Sequence, residues 1–129
     1  HSTDATRDIA AALGARVIER DWPGYRSQKQ FAVDAASHDW VLVLDADEQL
    51  SPALAGEIAA LRERGADGFA AFDAPRLSRY FGRYLRHGDW YPDRQIRVFD
   101  RRRARFAGLE VHERVDVDGR LGHLRGDIL

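Results

Sequence analysis

Apolar residues recur along this chain at two spacings, and the switch between them divides it into elements. Ile9 and Leu13 share one face of a helix that His1, Ser2, Thr3 and Asp4 lead into and that Gly14 ends. Residues 16–19 read as a short strand, and residues 21–24 as a turn around Pro23 and Gly24. Residues 27–37 form a second helix with Phe31 and Ala35 inward. Residues 40–44 are an apolar strand. Ser51 caps a third helix, Pro52 suits its first turn, Leu54, Ile58 and Leu61 line one face, and Gly65 stops it. Residues 68–72 make a third strand. This alternation predicts an α/β fold with a parallel or mostly parallel sheet and right-handed crossovers. Beyond Ala74 the pattern changes. Residues 76–90 are rich in arginine and aromatics and are broken by Gly82 and Gly88. Residues 95–99 alternate as a strand, Arg101, Arg102 and Arg103 form a basic turn, and residues 104–106 and 113–117 are further strands, with a turn at Asp118-Gly119.

The strand at 40–44 runs straight into Asp45, Ala46, Asp47 and Glu48. Carboxylates at the end of a buried strand need partners or solvent, because burying them unpaired is costly. In extended geometry Asp45 and Asp47 point to the same side. Two hard oxygen donors there suit Mg2+ or Mn2+ carrying a phosphate-bearing ligand, at the place where open α/β sheets bind ligands. A plain acidic turn ahead of a helix has the same composition. Glu48 points away from the pair and is read as supporting it or facing solvent.

Composition narrows the classes. The chain has 129 residues, one domain's length, with 44% hydrophobic residues and a net charge of −1. That balance argues for neither nucleic acid nor an anionic membrane surface as a partner. Without cysteine, neither a disulfide framework nor a thiolate metal site is possible, which suits a reducing, cytoplasmic setting. No apolar stretch reaches the roughly 20 residues of a membrane span. There is no methionine and the first residue is His1, so upstream sequence is expected.

Three further groups are candidates. Arg94 and Arg97 carry the planar donor fork that binds phosphate, although a regular strand from Asp93 would put them on opposite faces. Trp90 and Tyr91 fit either stacking on a sugar ring or filling the core. The adjacent His112 and Glu113 fit a metal ligand and a general base, or a surface pair.

The order of these pieces resembles family 2 glycosyltransferases. Residues Ser2, Thr3, Asp4, Ala5 and Thr6 resemble the end of that family's Asp-Ser-x-Ser-Thr-Asp-x-Thr segment. Residues 24–30, Gly-Tyr-Arg-Ser-Gln-Lys-Gln, resemble its Gly-x-x-x-Gln-Lys-Asn helix start, with Gln30 where Asn is commoner. Residues 39–48 resemble its Asp-x-Asp segment. Residues 87–99 together with Val111, His112 and Glu113 look like the bacterial branch that includes lipopolysaccharide core β-glucosyltransferases.

The resemblance implies a GT-A fold, a Rossmann-like, mostly parallel sheet flanked by helices with an antiparallel C-terminal portion, lacking the family's first β-α-β unit. It implies a nucleotide-diphosphate sugar donor and a glycan or glycolipid acceptor. It further implies Mg2+ or Mn2+ held by Asp47 and Asp45 with His112, and inversion by single displacement. Glu113 is then the base, Lys29, Asp45, Arg94 and Arg97 meet the donor, and Trp90 and Tyr91 stack on sugar. The setting implied is the cytoplasmic face of the inner membrane, with peripheral contact. The absent strands leave an exposed sheet edge suited to self-association and a donor pocket without its nucleotide half. Two other readings remain at this stage. One is a non-catalytic domain used in protein association. The other is a haloacid-dehalogenase-like phosphatase with Asp45 as nucleophile, which Glu48 and the two preceding βα units argue against. An EF-hand is excluded, because Leu50 stands where its loop needs glycine.

Overall fold

The computed structural model describes residues 2–129, Asp89 by its backbone alone; His1 lies outside the described residues. In chain order the elements are α1 (Thr6–Ala12), α2 (Tyr25–Asp34), β1 (Trp40–Leu42), α3 (Pro52–Arg64), β2 (Phe69–Arg76), β3 (Arg79–Tyr80), β4 (Arg83–Tyr84), a 3-10 turn (Gly88–Trp90), β5 (Asp93–Asp100), β6 (Ala104–Leu109), β7 (His112–Val117) and β8 (Arg120–His123).

Local chemistry explains the helix ends. The Ser51 hydroxyl accepts from the Leu54 amide at 3.2 Å, Pro52 occupies the first turn, and Gly65 closes α3 at φ +84°. Before α1, the Asp4 carboxylate accepts from the Thr6 amide at 3.1 Å, so the helix begins later than Ser2 and Thr3 suggest. The strand expected at 16–19 does not form. Two β-branched residues cannot make a strand without a ladder partner, and Val17 and Ile18 are exposed.

Four strands form the main sheet in the order β1-β5-β2-β8. The sheet is mixed. β5 runs antiparallel to both β1 and β2, and β8 joins β2 in parallel. β1 and β2, linked by α3, therefore do point the same way, as the alternation predicts. What the local pattern does not reveal is that a later strand inserts between them.

The two faces have separate cores. On one, Leu54 and Leu61 of α3 pack with Phe72, Ala74, Val98, Leu124 and Ile128. On the other, Val33 of α2 packs with Ala71, Phe99, Ala104 and Phe106, bringing the β6–β7 hairpin onto the sheet. The C-terminal tail is laced into the carboxyl end of the sheet. Gln49 and Leu129 exchange two backbone hydrogen bonds of 2.8 Å, and Ile128 donates to the Pro75 carbonyl at 2.8 Å. The segment that follows Asp45–Glu48 is thus fixed from outside the βα unit to which it belongs.

Candidate functional site

The site begins with an irregularity in β5. Phe72 pairs with Val98 and Asp73 with Ile96, so Arg97 is an extra residue opposite no partner. Such a bulge re-aims a side chain. Arg97 is 6% exposed, and its carbonyl accepts from the Val43 amide at 2.8 Å, extending the ladder beyond β1. Its guanidinium grips Glu48 through Nε to Oε2 at 3.0 Å and Nη2 to Oε1 at 2.6 Å, and also reaches Asp45 Oδ2 at 3.1 Å. Glu48 Oε2 in turn accepts from the Asp45 amide at 3.1 Å. Glu48 is therefore the buried support of Asp45 and does not face solvent.

Asp45 and Asp47 do not lie along extended backbone. The Glu48 amide donates to the Asp45 carbonyl at 3.0 Å, which closes a turn through Ala46 and Asp47. Strand parity no longer applies, yet both carboxylates line one cleft. Asp47 is exposed and makes no hydrogen bond or ion pair among the described residues.

Lys29 of α2 bridges the two sides of this cleft. Its Nζ lies 2.8 Å from Asp45 Oδ1 and 2.7 Å from Glu113 Oε1 of β7. Burial alone would lower the lysine, but the hydrogen bonds it donates to Asp45 and Glu113 outweigh it and hold the ammonium above its ordinary pKa. The same contact, opposed by burial, holds the Glu113 carboxyl below its ordinary range.

Glu110, in the turn between β6 and β7, explains why these elements meet. Its carboxylate accepts from the Ser27 amide at 3.2 Å, the Ser27 hydroxyl at 2.9 Å and Arg26 Nε at 3.0 Å. The Ser27 amide bond foremost, then the hydroxyl, lowers its pKa. Gly24, at φ +113°, leaves room for it, since a Cβ there would overlap the Glu110 carboxylate. The hairpin thus supplies a cap that the α2 sequence lacks, and the carboxylate sits at the helix's positive end.

The cleft encloses about 640 Å3 between Trp22, Tyr25, Gln28, Lys29, Asp45, Asp47, Val111 and Glu113. That is within the range of small-molecule sites. Gln28 Oε1 is buried with no hydrogen-bond partner among the described residues, an acceptor left for a bound donor. Trp22 and Tyr25 meet edge to face, with centroids 4.9 Å apart, and both are exposed on the cleft wall. The sequence reading missed this pair, although aromatics flanking Pro23-Gly24 just before the Lys29 helix were the available signal.

A second cavity of about 370 Å3 shares Lys29, Asp45 and Glu113 and adds Arg76, Arg94, Arg97 and His112. The bulge is why Arg94 and Arg97 border one cavity despite their spacing. They hold different partners: Arg94 Nε donates to Asp73 at 2.7 Å, and its Nη2 to the Leu124 carbonyl at 2.7 Å. Asp73 also contacts His123 Nδ1 at 2.9 Å. Trp90 and Tyr91 border neither cavity. Trp90 is exposed, and the Tyr91 hydroxyl donates to Asp127 at 2.8 Å, the first cause of its raised pKa. His112 is exposed, and among the described residues no three of the His, Asp and Glu side chains converge to hold a metal by themselves.

A mixed α/β sheet, an Asp-x-Asp turn at a strand's carboxyl end and a carboxylate facing it define a class of fold and site. Residues 1–117 match the family described as Glycosyl transferase family 2, and the chain belongs to that family. It is 38% identical over 107 residues to an uncharacterized glycosyltransferase of Rickettsia typhi, covering 82% of this chain and 37% of that one. It is 30% identical over 130 residues to the lipopolysaccharide core biosynthesis glycosyltransferase LpsC of Rhizobium meliloti, covering 96% of this chain and 48% of that one. The chain thus spans less than half the length of either relative.

Proposed function

We propose that this chain forms the metal and acceptor side of an inverting glycosyltransferase. It would move a sugar from a nucleotide-diphosphate donor to a hydroxyl of a glycan or glycolipid in cell-envelope, lipopolysaccharide-core-like synthesis. The observation that carries this reading is Lys29 joining Asp45 to Glu113 across a cleft that also holds the unpartnered Asp47.

Charge supports a divalent ion. Asp45, Asp47, Glu48 and Glu113 meet Lys29 and Arg97, while Arg76, 3.9 Å from Glu48, and Arg94 are paired with Asp93 and Asp73, so an anionic diphosphate would meet excess negative charge. Mg2+ is usually held by one or two carboxylates plus substrate phosphates, and Mn2+ favours similar oxygen donors. Asp47 and Asp45 fit that donor set without a third protein ligand, and phosphate and water oxygens would fill the place expected of His112. When bound, the ion would neutralise the departing diphosphate as a Lewis acid.

The remaining roles fall to side chains. Lys29 spends N–H donors on Asp45 and Glu113 and keeps one of its three for a phosphate oxygen. Arg94 borders the cavity as a second phosphate contact, whereas Arg97 acts by holding Asp45. Glu113, ionised at neutral pH, accepts the acceptor hydroxyl's proton. The acceptor oxygen bonds to the anomeric carbon as the bond to the diphosphate oxygen breaks and its electron pair leaves with the diphosphate. Trp22 and Tyr25 take the stacking role first expected of Trp90 and Tyr91.

Calorimetry with a panel of nucleotide-diphosphate sugars, with and without Mn2+, on this chain extended by the β-α-β unit that the resemblance places ahead of it, tests the reading. Metal-dependent binding of at least one donor is expected. A panel that binds equally well without metal, or not at all, overturns it.

A further inference from the structure

The hairpin β3–β4 is unlike the rest of the surface. Arg79 pairs with Tyr84 and Tyr80 with Arg83, leaving Phe81 and Gly82 as a two-residue turn at φ +44° and +79°. Such turns favour Asn-Gly or Asp-Gly, and a bulky residue in the left-handed region is strained. Phe81 is also 89% exposed, so the residue is unfavourable in both conformation and solvation. Tyr80 packs edge to face against it at 4.6 Å, and Arg79 lies 6.0 Å from the Tyr84 ring centre. Neither Arg79 nor Arg83 has a carboxylate partner among the described residues. Residues 74–88 hold four arginines and no acidic residue, in a chain of net charge −1.

We infer that the β3–β4 hairpin docks the protein onto an anionic phospholipid surface, Phe81 and Tyr80 entering the interface and Arg79 and Arg83 meeting lipid phosphates. Aromatic rings with a polar rim are at home at the headgroup level. Arginine forks match phosphate, and the local positive charge complements the lipid. Topology gives the placement a use. β1 and β2 run in the same direction, so the Asp45–Glu48 turn after β1 and the hairpin after β2 leave the same end of the sheet. A hairpin seated on a bilayer would therefore hold the cleft beside that surface.

The test is flotation of the full chain with phosphatidylcholine vesicles with and without phosphatidylglycerol. It uses no sugar donor and so is independent of the glycosyltransferase reading. Binding only to the anionic vesicles is expected, weakened about fivefold by either Arg79→Gln or Arg83→Gln. Phe81→Asn, which suits the left-handed turn, should weaken it about tenfold by removing the buried ring. Circular dichroism should be unchanged in all three variants, because the hairpin is exposed. Equal binding to neutral and anionic vesicles, undiminished binding by Phe81→Asn, or displacement from vesicles by a single-stranded oligonucleotide would overturn the inference.

Discussion

Lys29 and Glu113 lie 84 positions apart in the chain and meet through a contact of 2.7 Å between Nζ and Oε1. That contact closes α2 onto β7, and Glu110, three residues earlier, fastens the same two elements at the start of the helix. The cation at the centre of the cleft is thus held by structure formed at both ends of the sequence.

Replacing Lys29 by methionine leaves Asp45 and Glu113 facing each other without their shared cation. The side chain is 17% exposed, so the expected loss is about 1–3 kcal/mol of stability. Donor binding should be lost with it. Chemical denaturation and calorimetry on one preparation measure both, and unchanged stability would show that the bridge is not formed in solution.

Asp47→Asn should behave in the opposite way. The carboxylate is exposed and unpartnered, so stability should stay within about 0.5 kcal/mol. Metal-dependent donor binding should disappear. Retained Mn2+ dependence in this variant would remove Asp47 from the metal site.

Glu48→Gln removes the charge opposite Arg97, whose side chain is 8% exposed. Asp45 still faces the guanidinium, so the loss should fall below the roughly 3–5 kcal/mol of a buried charge left with no partner. Because Glu48 also holds the Asp45 amide, donor affinity should fall even where the fold survives, and urea denaturation beside calorimetry separates the two effects. A loss of stability below 1 kcal/mol would mean that Arg97 finds another partner.

The Lys29–Glu113 pair sets a pH dependence at both extremes. The folded chain holds Glu113 below the ordinary value of 4.5, so on acidification the unfolded chain takes up that proton first. The stabilisation is present above about pH 4.5 and fades as pH falls through the lower folded value. Lys29 is raised above 10.5, so its contribution is present below that value and is lost as pH climbs through the higher folded one. The melting temperature of the wild type should therefore exceed that of Glu113→Gln at neutral pH and converge with it in acid. A difference that persists unchanged in acid would assign the stabilisation elsewhere.

Much of this arrangement was legible in the sequence, and the exceptions share a cause. Ser51, Pro52 and Gly65 mark α3 because caps are local chemistry. Asp45 and Glu113 were singled out by residue chemistry, and Lys29 by motif resemblance, before their contacts were visible. The insertion of β5 between β1 and β2, the pairing of β8 and the cap from Glu110 are long-range, and residue spacing carries no trace of them. Glu48 was left between supporting Asp45 and facing solvent, because strand parity was extended through residues that the structure folds into a turn, and it is the supporting role that forms. Residues 16–19 had the composition of a strand but no neighbour to bond with.

The extra residue at Arg97 makes β5 a counting device. Upstream of it, Arg94 and Ile96 share the Asp73 side of the sheet; downstream, Phe99 returns to that side only because one position is skipped. Were Arg97 paired in regular alternation instead of bulged, Val98 and Phe99 would be sent into each other's cores. Deleting Arg97 would leave both residues in their own cores and remove the guanidinium that holds Glu48 and Asp45. The strand's one extra position is thus given to the site and not to the cores on either side of it.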